Sequence, residues 1–232
     1  MMKIDVLTLF PAMFEAVLGD SIIGRAAEKG LLHLRYINIR DFSEDKHRRV
    51  DDYPYGAGGG MVMAPQPIYK AWRYITEPLS YRPHTIYLSP QGKVFSQEKA
   101  KSLAEEYEHI ILLCGHYEGV DERILELLVD EEISIGDYVL TGGEIPAMAL
   151  VDAVARMVPG VVQHGNSESE SLSDGLLEYP QYTRPPEFMG KTVPEILLSG
   201  HQAKIAEWRK QKAWERTRAK RPDLLERMEK NG

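Results

Sequence analysis

Strand-like and helix-like segments alternate through the first two-thirds of this chain, and this alternation restricts its fold more than any other feature. The runs "KIDVLTLF", "LHLRYINIR", "HTIYLSP" and "HIILLCG" are short and rich in aliphatic and β-branched residues, as strands are. "QPIYKAWRYI", "SQEKAKSLAEEYE", "VDERILELLVD" and "EIPAMALVDAVARMV" have the pattern of helices, and "EISIGDYVL" (residues 132–140) is assigned to a further strand. This alternation predicts an α/β fold, with a parallel sheet covered by helices on both faces.

The composition changes after residue 160. The segment "HGNSESESLSDG" is rich in serine, glycine and acidic residues and offers almost no apolar side chain to bury, which is typical of a linker. The rest of the chain is helical in pattern, with a long segment from His201 to Lys220. We therefore expect an α/β domain over residues 1–162, a flexible linker over 163–176 and a small all-helical domain over 177–232.

The net charge is unevenly distributed along the chain. The 232 residues carry a net charge of −7, but residues 201–232 hold ten Lys/Arg against five Asp/Glu, a net of +5, which leaves −12 for residues 1–200. An acidic body with a basic arm is compatible with a nucleic-acid partner, which the total charge alone would disfavour. The single cysteine, Cys114, excludes an internal disulfide, and the interrupted apolar run at the N-terminus is too short for a membrane span. We expect a cytoplasmic protein.

Three loops rich in glycine or proline follow apolar runs: "YLSPQG" (87–92), "LCGHYEGVDER" (113–123) and "IGDYVLTGGEIP" (135–146). In an open parallel sheet the carboxyl ends of the strands share one edge, where ligands bind. The three loops therefore either converge on one small molecule or serve only as turns, which contain glycine in any case.

Several well-known site patterns are missing from the sequence. The histidines and the cysteine form no metal-binding pattern, and neither a phosphate-binding P-loop nor a nucleophile elbow is present. Cys114 ends an apolar run and is interpreted as a buried small residue rather than a nucleophile.

Two charged features have alternative interpretations. The acidic residues Glu168, Glu170 and Asp174 are either a solvated run or the source of a general base on a segment that closes over a ligand. Arg156 ends a predicted helix, where it either complements the helix dipole or stabilises a developing oxyanion.

The C-terminal helix carries basic residues at helical spacing, with Trp208 and Trp214 between them. These basic residues are Arg209, Lys212, Arg216 and Lys220. They form either a solvated face or a surface that follows a phosphate backbone with the help of aromatic side chains.

Taken together, these segments resemble one family, the bacterial tRNA (guanine-N1)-methyltransferases of the SPOUT class. The matching segments are "LTLFPAMF", "VDDYPYGAGGGMVMAP", "YLSPQG", "CGHYEGVDERI", "SIGDYVLTGGEIPAM", "DAVARMVPGV", "GLLEYPQYTRPPEF" and "PEILLSGHQAKIAEWR". They occur in family order over nearly the whole chain. The resemblance implies methyl transfer from S-adenosylmethionine to N1 of the guanosine immediately 3′ of the anticodon.

The resemblance also implies an architecture that the residue pattern does not reveal. Residues 1–162 would form a catalytic domain with a C-terminal trefoil knot that binds S-adenosylmethionine, and residues 177–232 a tRNA-binding domain. The family acts as a homodimer whose active site is shared between subunits. The resemblance implies no membrane association. It also implies a possible requirement for Mg²⁺, but no Mg²⁺ ligand can be named from this sequence.

The resemblance assigns roles to individual residues. The cofactor-binding residues would be Leu88, Ser89, Pro90, Gln91, Gly115, Tyr117, Glu118, Ser134, Ile135, Gly136, Asp137, Tyr138, Val139, Leu140, Gly142, Gly143 and Pro146. Arg156 would contact the target guanine. The tRNA-binding residues would be Arg184, Arg209, Lys212 and Arg216.

The general base is where this sequence departs from the family. The family usually has an aspartate directly before Ser-Phe in the linker, whereas this chain has Glu170 in that place and Leu172 instead of the aromatic residue. Asp174, four residues further on, is the competing carboxylate. The alternative function is a tRNA-binding module of the same fold that no longer transfers a methyl group.

Overall fold

The computed structural model describes residues 1–56, 59–162, 172 and 175–231. The chain divides into two compact units, Met1–Val162 and Gln163–Gly232. No helix in the described part of the chain is both long enough and apolar enough to cross a membrane.

The first unit is built on a five-stranded parallel sheet. The strands of this unit are β1 (Met2–Thr8), β2 (Leu32–Asn38), β3 (Asp51–Asp52), β4 (Val62–Met63), β5 (His84–Val94), β6 (His109–Cys114) and β7 (Glu131–Ser134). The sheet has the order β2-β1-β6-β5-β7, and β3 and β4 form a separate antiparallel pair. The α/β prediction with a parallel sheet is confirmed.

Helices cover both faces of this sheet. They are α1 (Pro11–Leu18), α2 (Ser21–Glu28), a short 3₁₀ helix (Ile39–Phe42), α3 (Pro65–Thr76), α4 (Gln97–Glu106), α5 (Glu122–Leu128) and α6 (Glu144–Ala155). The central strand β6 shows why both faces of the sheet must be covered by helices, because its side chains alternate between two apolar clusters, one on each face. Ile110 and Leu112 pack with α1, α4 and α6, whereas Ile111 and Leu113 pack with α3 and α5.

The predicted strand over residues 132–140 is wrong in its second half. Strand β7 ends at Ser134, whose side-chain hydroxyl accepts a hydrogen bond from the Gly136 N–H at 3.1 Å. Gly136 has φ 147°, which turns the chain away from the sheet. Tyr138 and Val139 have the composition of a strand, but both are exposed. Their β-branched and aromatic character was misread as a sign of burial in a sheet.

The second unit contains the strands β8 (Glu187–Phe188) and β9 (Lys191–Thr192), followed by α7 (Glu195–Leu198), α8 (Gln202–Lys220) and α9 (Pro222–Asn231). The prediction of an all-helical domain is therefore wrong, because β8 and β9 pair as an antiparallel hairpin. Met189 and Gly190 at its tip have φ of 51° and 75°. Two successive positive φ angles are the geometry that a two-residue hairpin turn requires.

A buried ionic network links the neighbouring strands β1, β2 and β6. Asp5, which is 1% exposed, accepts hydrogen bonds from Arg35 at 2.5 and 2.6 Å and is 2.8 Å from His109 Nε2. Desolvation by burial raises the pKa of Asp5, but the hydrogen bonds from His109 and Arg35 outweigh it, so the pKa is lowered from 3.8. The carboxylate is thus held ionised.

We expect Asp5→Asn to lower the free energy of unfolding at pH 7 by about 2 kcal/mol. Removing one partner of a fully buried ion pair costs about 3–5 kcal/mol, but 41% of the Arg35 side chain is exposed and stays partly solvated. Because the folded pKa is depressed, the contribution is complete above the unfolded pKa and is lost as pH falls through the folded pKa. Urea denaturation of both proteins between pH 7 and pH 2.5 measures the effect.

The control is Glu77→Gln, which removes an exposed ion pair with Arg73 and is expected to change stability by less than about 0.5 kcal/mol. An equal loss in both variants, or a difference for Asp5→Asn that persists unchanged at pH 2.5, would contradict the account.

Candidate active site

Three loops meet in a cleft: the first projects from within β5, and the other two follow the carboxyl ends of β6 and β7. The first loop covers residues 89–92, the second 115–119 and the third 135–143. The cleft has a volume of about 390 Å³ and receives residues from all three loops and from the start of α6. The sequence placed these loops at one edge of the sheet, and the structure brings them together there.

Main-chain contacts hold the loops to one another. The Gly143 N–H donates a hydrogen bond to the Gly115 carbonyl at 2.8 Å, and the neighbouring His116 and Gly142 form an antiparallel bridge. Strand β5 contributes the first loop because Leu88 and Lys93 both pair with Ile133 of β7, so that residues 89–92 project out of the sheet. The positions of the three loops therefore depend on one another.

Gly143 lies where a side chain has no room. A Cβ atom there would lie 2.8 Å from Cys114 Cα and 3.0 Å from the Gly115 nitrogen, both of which are backbone atoms. A Cβ on Gly142 would meet His116 and Glu144. The glycine pair is thus required because two segments of the chain approach each other closely here. This explains why two glycines precede the helix α6.

A buried polar cluster lies beneath this glycine pair. Glu144, the first residue of α6, is 3% exposed and accepts a hydrogen bond from the Thr8 hydroxyl of β1 at 2.9 Å. Its second oxygen lies 3.8 Å from His116 Nδ1, a buried nitrogen with no hydrogen-bond partner among the described residues. The carboxylate at the helix N-terminus is also favoured by the helix dipole. This cluster ties α6, the second loop and β1 together below the cleft.

The charged groups of the cleft favour a cation. Glu118 and Glu122 contribute carboxylates to its lining, and of the lining residues in the described part of the chain none is Lys or Arg. Burial raises the pKa of Tyr87 to about 12, so its hydroxyl stays protonated at neutral pH. Burial, followed by the charge of Glu144, raises the pKa of Cys114 well above its usual value. The interpretation of Cys114 as a buried small residue is confirmed.

The predicted cofactor-binding residues lie in this cleft, with Asp137 as the exception, because its side chain points to solvent. Their role in binding S-adenosylmethionine remains a prediction. The sequence reasoning missed eight further residues that line the cleft: Tyr87, His116, Gly119, Val120, Glu122, Leu125, Ile133 and Thr141. Extending the predicted loops by one position would have found Tyr87, His116, Gly119, Ile133 and Thr141, but not Val120 or the two residues of α5.

Of the three predicted catalytic residues only Arg156 is among the residues that the structure describes, and it does not line the cleft. Arg156 is the residue that ends α6, whereas Gly143 lies at its other end, about 20 Å away at about 1.5 Å per residue. Glu170 and Asp174 lie outside the residues that the structure describes.

The predicted tRNA-binding residues belong to the second unit. Arg184 is exposed, and the Arg209 guanidinium lies 4.8 Å from the centre of the Tyr179 ring. Lys212 Nζ is 2.6 Å from a carboxylate oxygen of Glu215. Its positive charge is therefore partly compensated within the helix, which the basic spacing alone did not reveal.

No group of three or more His, Cys, Asp or Glu side chains is arranged to hold a metal ion within residues 1–56, 59–162 and 175–231.

Comparison with protein families gives one match over almost the whole chain. Residues 2–227 match the family described as tRNA (Guanine-1)-methyltransferase TrmD. The tRNA (guanine-N(1)-)-methyltransferase of Ruminiclostridium cellulolyticum is 59% identical over 98% of this chain and 97% of its own length. Proteins of the same name from Halalkalibacterium halodurans and Bacillus cereus are 55% and 53% identical, over 97% and 98% of this chain and 92% and 93% of their own.

We expect Gly143→Ala to raise the Kd for S-adenosylmethionine at least about tenfold, which corresponds to about 1.4 kcal/mol. The added methyl group must displace the backbone at Cys114 and Gly115 and thereby separate the second and third loops. Isothermal titration calorimetry measures the Kd, and the melting temperature of each variant reports whether it is folded.

Gly59→Ala is the matched control, because a Cβ atom at Gly59 meets no atom within 4 Å. Its Kd should equal that of the original chain. A folded Gly143→Ala protein with an unchanged Kd would show that the close approach of the loops does not shape the binding site.

Proposed function

This chain belongs to the tRNA (guanine-1)-methyltransferase family, and we propose that it transfers a methyl group from S-adenosylmethionine, bound in the three-loop cleft, to N1 of the guanosine immediately 3′ of the anticodon. The observation that carries the proposal is the lining of the cleft. It has main-chain groups from glycine-rich loops, two carboxylates and, among its described lining residues, no basic side chain.

This lining suits a cationic methyl donor. S-adenosylmethionine has a positively charged sulfonium, and the negative charges of Glu118 and Glu122, two exposed residues of the lining, favour a cation there. A nucleotide cofactor with phosphates would instead be repelled, and the usual phosphate-binding Lys or Arg is missing from the described lining. The adenosine and methionine parts would lie against the backbone of the second and third loops.

The reaction needs two further groups from this chain. When bound, S-adenosylmethionine supplies an electrophilic methyl group. Guanine N1 carries a proton, so a base must accept it, and negative charge then develops on O6. We assign the proton acceptor to Glu170, with Asp174 as the competing carboxylate, and the stabilisation of O6 to Arg156. The target base must leave its stack to reach these groups.

The location of Arg156 supports a homodimer with a shared active site. Arg156 and the cleft are at opposite ends of α6 in one chain, so a second copy in reversed orientation would bring its Arg156 to this cleft. Exposed apolar side chains on and beside α1, which packs on α6, would then be covered by the partner. They are Phe10, Met13 and Val17.

The remaining assignments complete the proposal. Residues 1–162 would be the knotted catalytic domain, 163–176 the flexible linker and 177–232 the tRNA-binding domain, with Arg184, Arg209, Lys212 and Arg216 contacting tRNA. The location in the cytoplasm and a requirement for Mg²⁺ stay predictions.

The direct test of the proposed function uses two tRNA transcripts that differ only at the nucleotide 3′ of the anticodon. We expect labelled methyl groups from S-adenosylmethionine to enter the transcript with guanosine there and not the one with adenosine, because adenine has an amino group in place of O6 and gives Arg156 no developing oxyanion to stabilise. Incorporation into both transcripts would refute the site, and incorporation into neither, with the cofactor bound, would favour a binding module without methyl transfer.

The shared site is tested by mixing inactive variants. We expect Arg156→Ala and Glu170→Gln each to lose at least about a hundredfold in kcat, and an equilibrated equimolar mixture to regain about a quarter of the original activity. Half of the dimers would be mixed, and each would hold one intact site if Arg156 and Glu170 come from different subunits.

Asp174→Asn is the matched control and should retain most of its activity. If Asp174→Asn is the inactive variant instead, Asp174 is the base. A mixture without any recovery would place both groups of one site in the same subunit.

A further inference from the structure

Three basic residues of α8 lie on one face of this helix. Arg209, Arg216 and Lys220 are separated by seven and four residues, which places them in a row about two turns and one turn apart. Beside this row lies a second cavity of about 380 Å³, within the range of about 300–1,000 Å³ of small-ligand sites. Its lining residues are Leu177, Glu178, Tyr179, Gln181, Arg216 and Lys220.

Hydrogen bonds fix the wall of this cavity against α8. The Leu177 N–H donates to the hydroxyl of Thr217 at 2.8 Å, and Thr217 is fully buried. The Arg216 guanidinium donates to the Glu178 carbonyl at 3.2 Å, and the Arg209 guanidinium lies over the Tyr179 ring. The segment around residues 177–181 is therefore held at a fixed position beside the basic row.

The charges of α8 and its C-terminus differ in how they are compensated. Lys212 pairs with Glu215, whose pKa it lowers by a side-chain hydrogen bond, and Arg221 pairs with Asp223 at 2.7 Å. Arg216, in contrast, donates to an uncharged carbonyl, and Arg209 rests on an uncharged ring.

The cavity lining has one carboxylate, Glu178, to which Gln181 donates a hydrogen bond. Two cations, Arg216 and Lys220, line the cavity with it, and Arg209 contacts the Tyr179 ring of the wall. Two cations against one carboxylate leave the lining with a net charge of +1.

We propose that this cavity binds a backbone phosphate of tRNA, with Arg216 and Lys220 as its donors and the stacked pair of Tyr179 and Arg209 as its wall. An anion with several acceptor oxygens suits two cationic donors on adjacent turns of a helix. The proposal rests on the proposed function, because it takes tRNA as the substrate. It makes Lys220, which the resemblance did not assign, a tRNA-binding residue, and gives it more weight than Lys212.

The test compares Lys220→Gln with Lys204→Gln in the full-length protein. Both residues are exposed lysines of α8, but they lie about 160° apart around the helix at about 100° per residue. We expect Lys220→Gln to raise the Kd for tRNA about three- to tenfold at 0.1 M salt and to reduce the slope of log Kd against log salt by about 0.7–0.9, one phosphate contact. KM for tRNA should rise, while kcat at saturating tRNA and the Kd for S-adenosylmethionine stay unchanged.

Lys204→Gln should change none of these quantities by more than about twofold. Equal effects of both variants would mean that tRNA senses only the general charge of the helix, and an unchanged Kd for Lys220→Gln would mean that no phosphate binds there; either result overturns the proposal. Methyl transfer to tRNA by the unmodified protein is measured first. If the unmodified protein transfers no methyl group, the proposed function fails, and this result is distinct from the effects of the two variants on tRNA binding.

Discussion

The approach of the Gly143 backbone to Cys114 and Gly115 is the contact on which the candidate active site depends. It allows the hydrogen bond from the Gly143 N–H to the Gly115 carbonyl, which joins the end of β6 to the start of α6. The first loop is positioned by β7, from which the third loop continues. The close backbone contact thus joins the second and third loops, and β7 connects them to the first loop. The hydrogen bond between the buried residues Glu144 and Thr8 attaches the start of α6 to β1.

The cavities of the two units differ in the charge of their described linings. The cleft of the first unit has Glu118 and Glu122 and no Lys or Arg, which suits the sulfonium of the proposed methyl donor. The cavity of the second unit has Arg216 and Lys220 against one carboxylate, which suits the proposed polyanionic substrate. The net charge of −7 for the whole chain hides this difference.

Much of the fold could be predicted because strands and helices have different periods, and β6 shows both faces buried as a parallel sheet requires. The cleft loops could be predicted because carboxyl ends of parallel strands share an edge. The end of β7 could not, because Tyr138 and Val139 have strand composition but are exposed in a loop. The pairing of Lys212 with Glu215 and the approach of His116 to Glu144 are set by side-chain conformation and tertiary contacts, which a single sequence does not encode in any pattern of spacing.

Amide hydrogen exchange with and without S-adenosylmethionine tests most directly whether the three loops form one binding site. Because the loops are joined by main-chain contacts, the account predicts that the cofactor slows exchange in residues 89–92, 115–119 and 135–143 together, with little change in the second unit. Protection limited to one loop, or protection outside the cleft while the cofactor is bound, would contradict it.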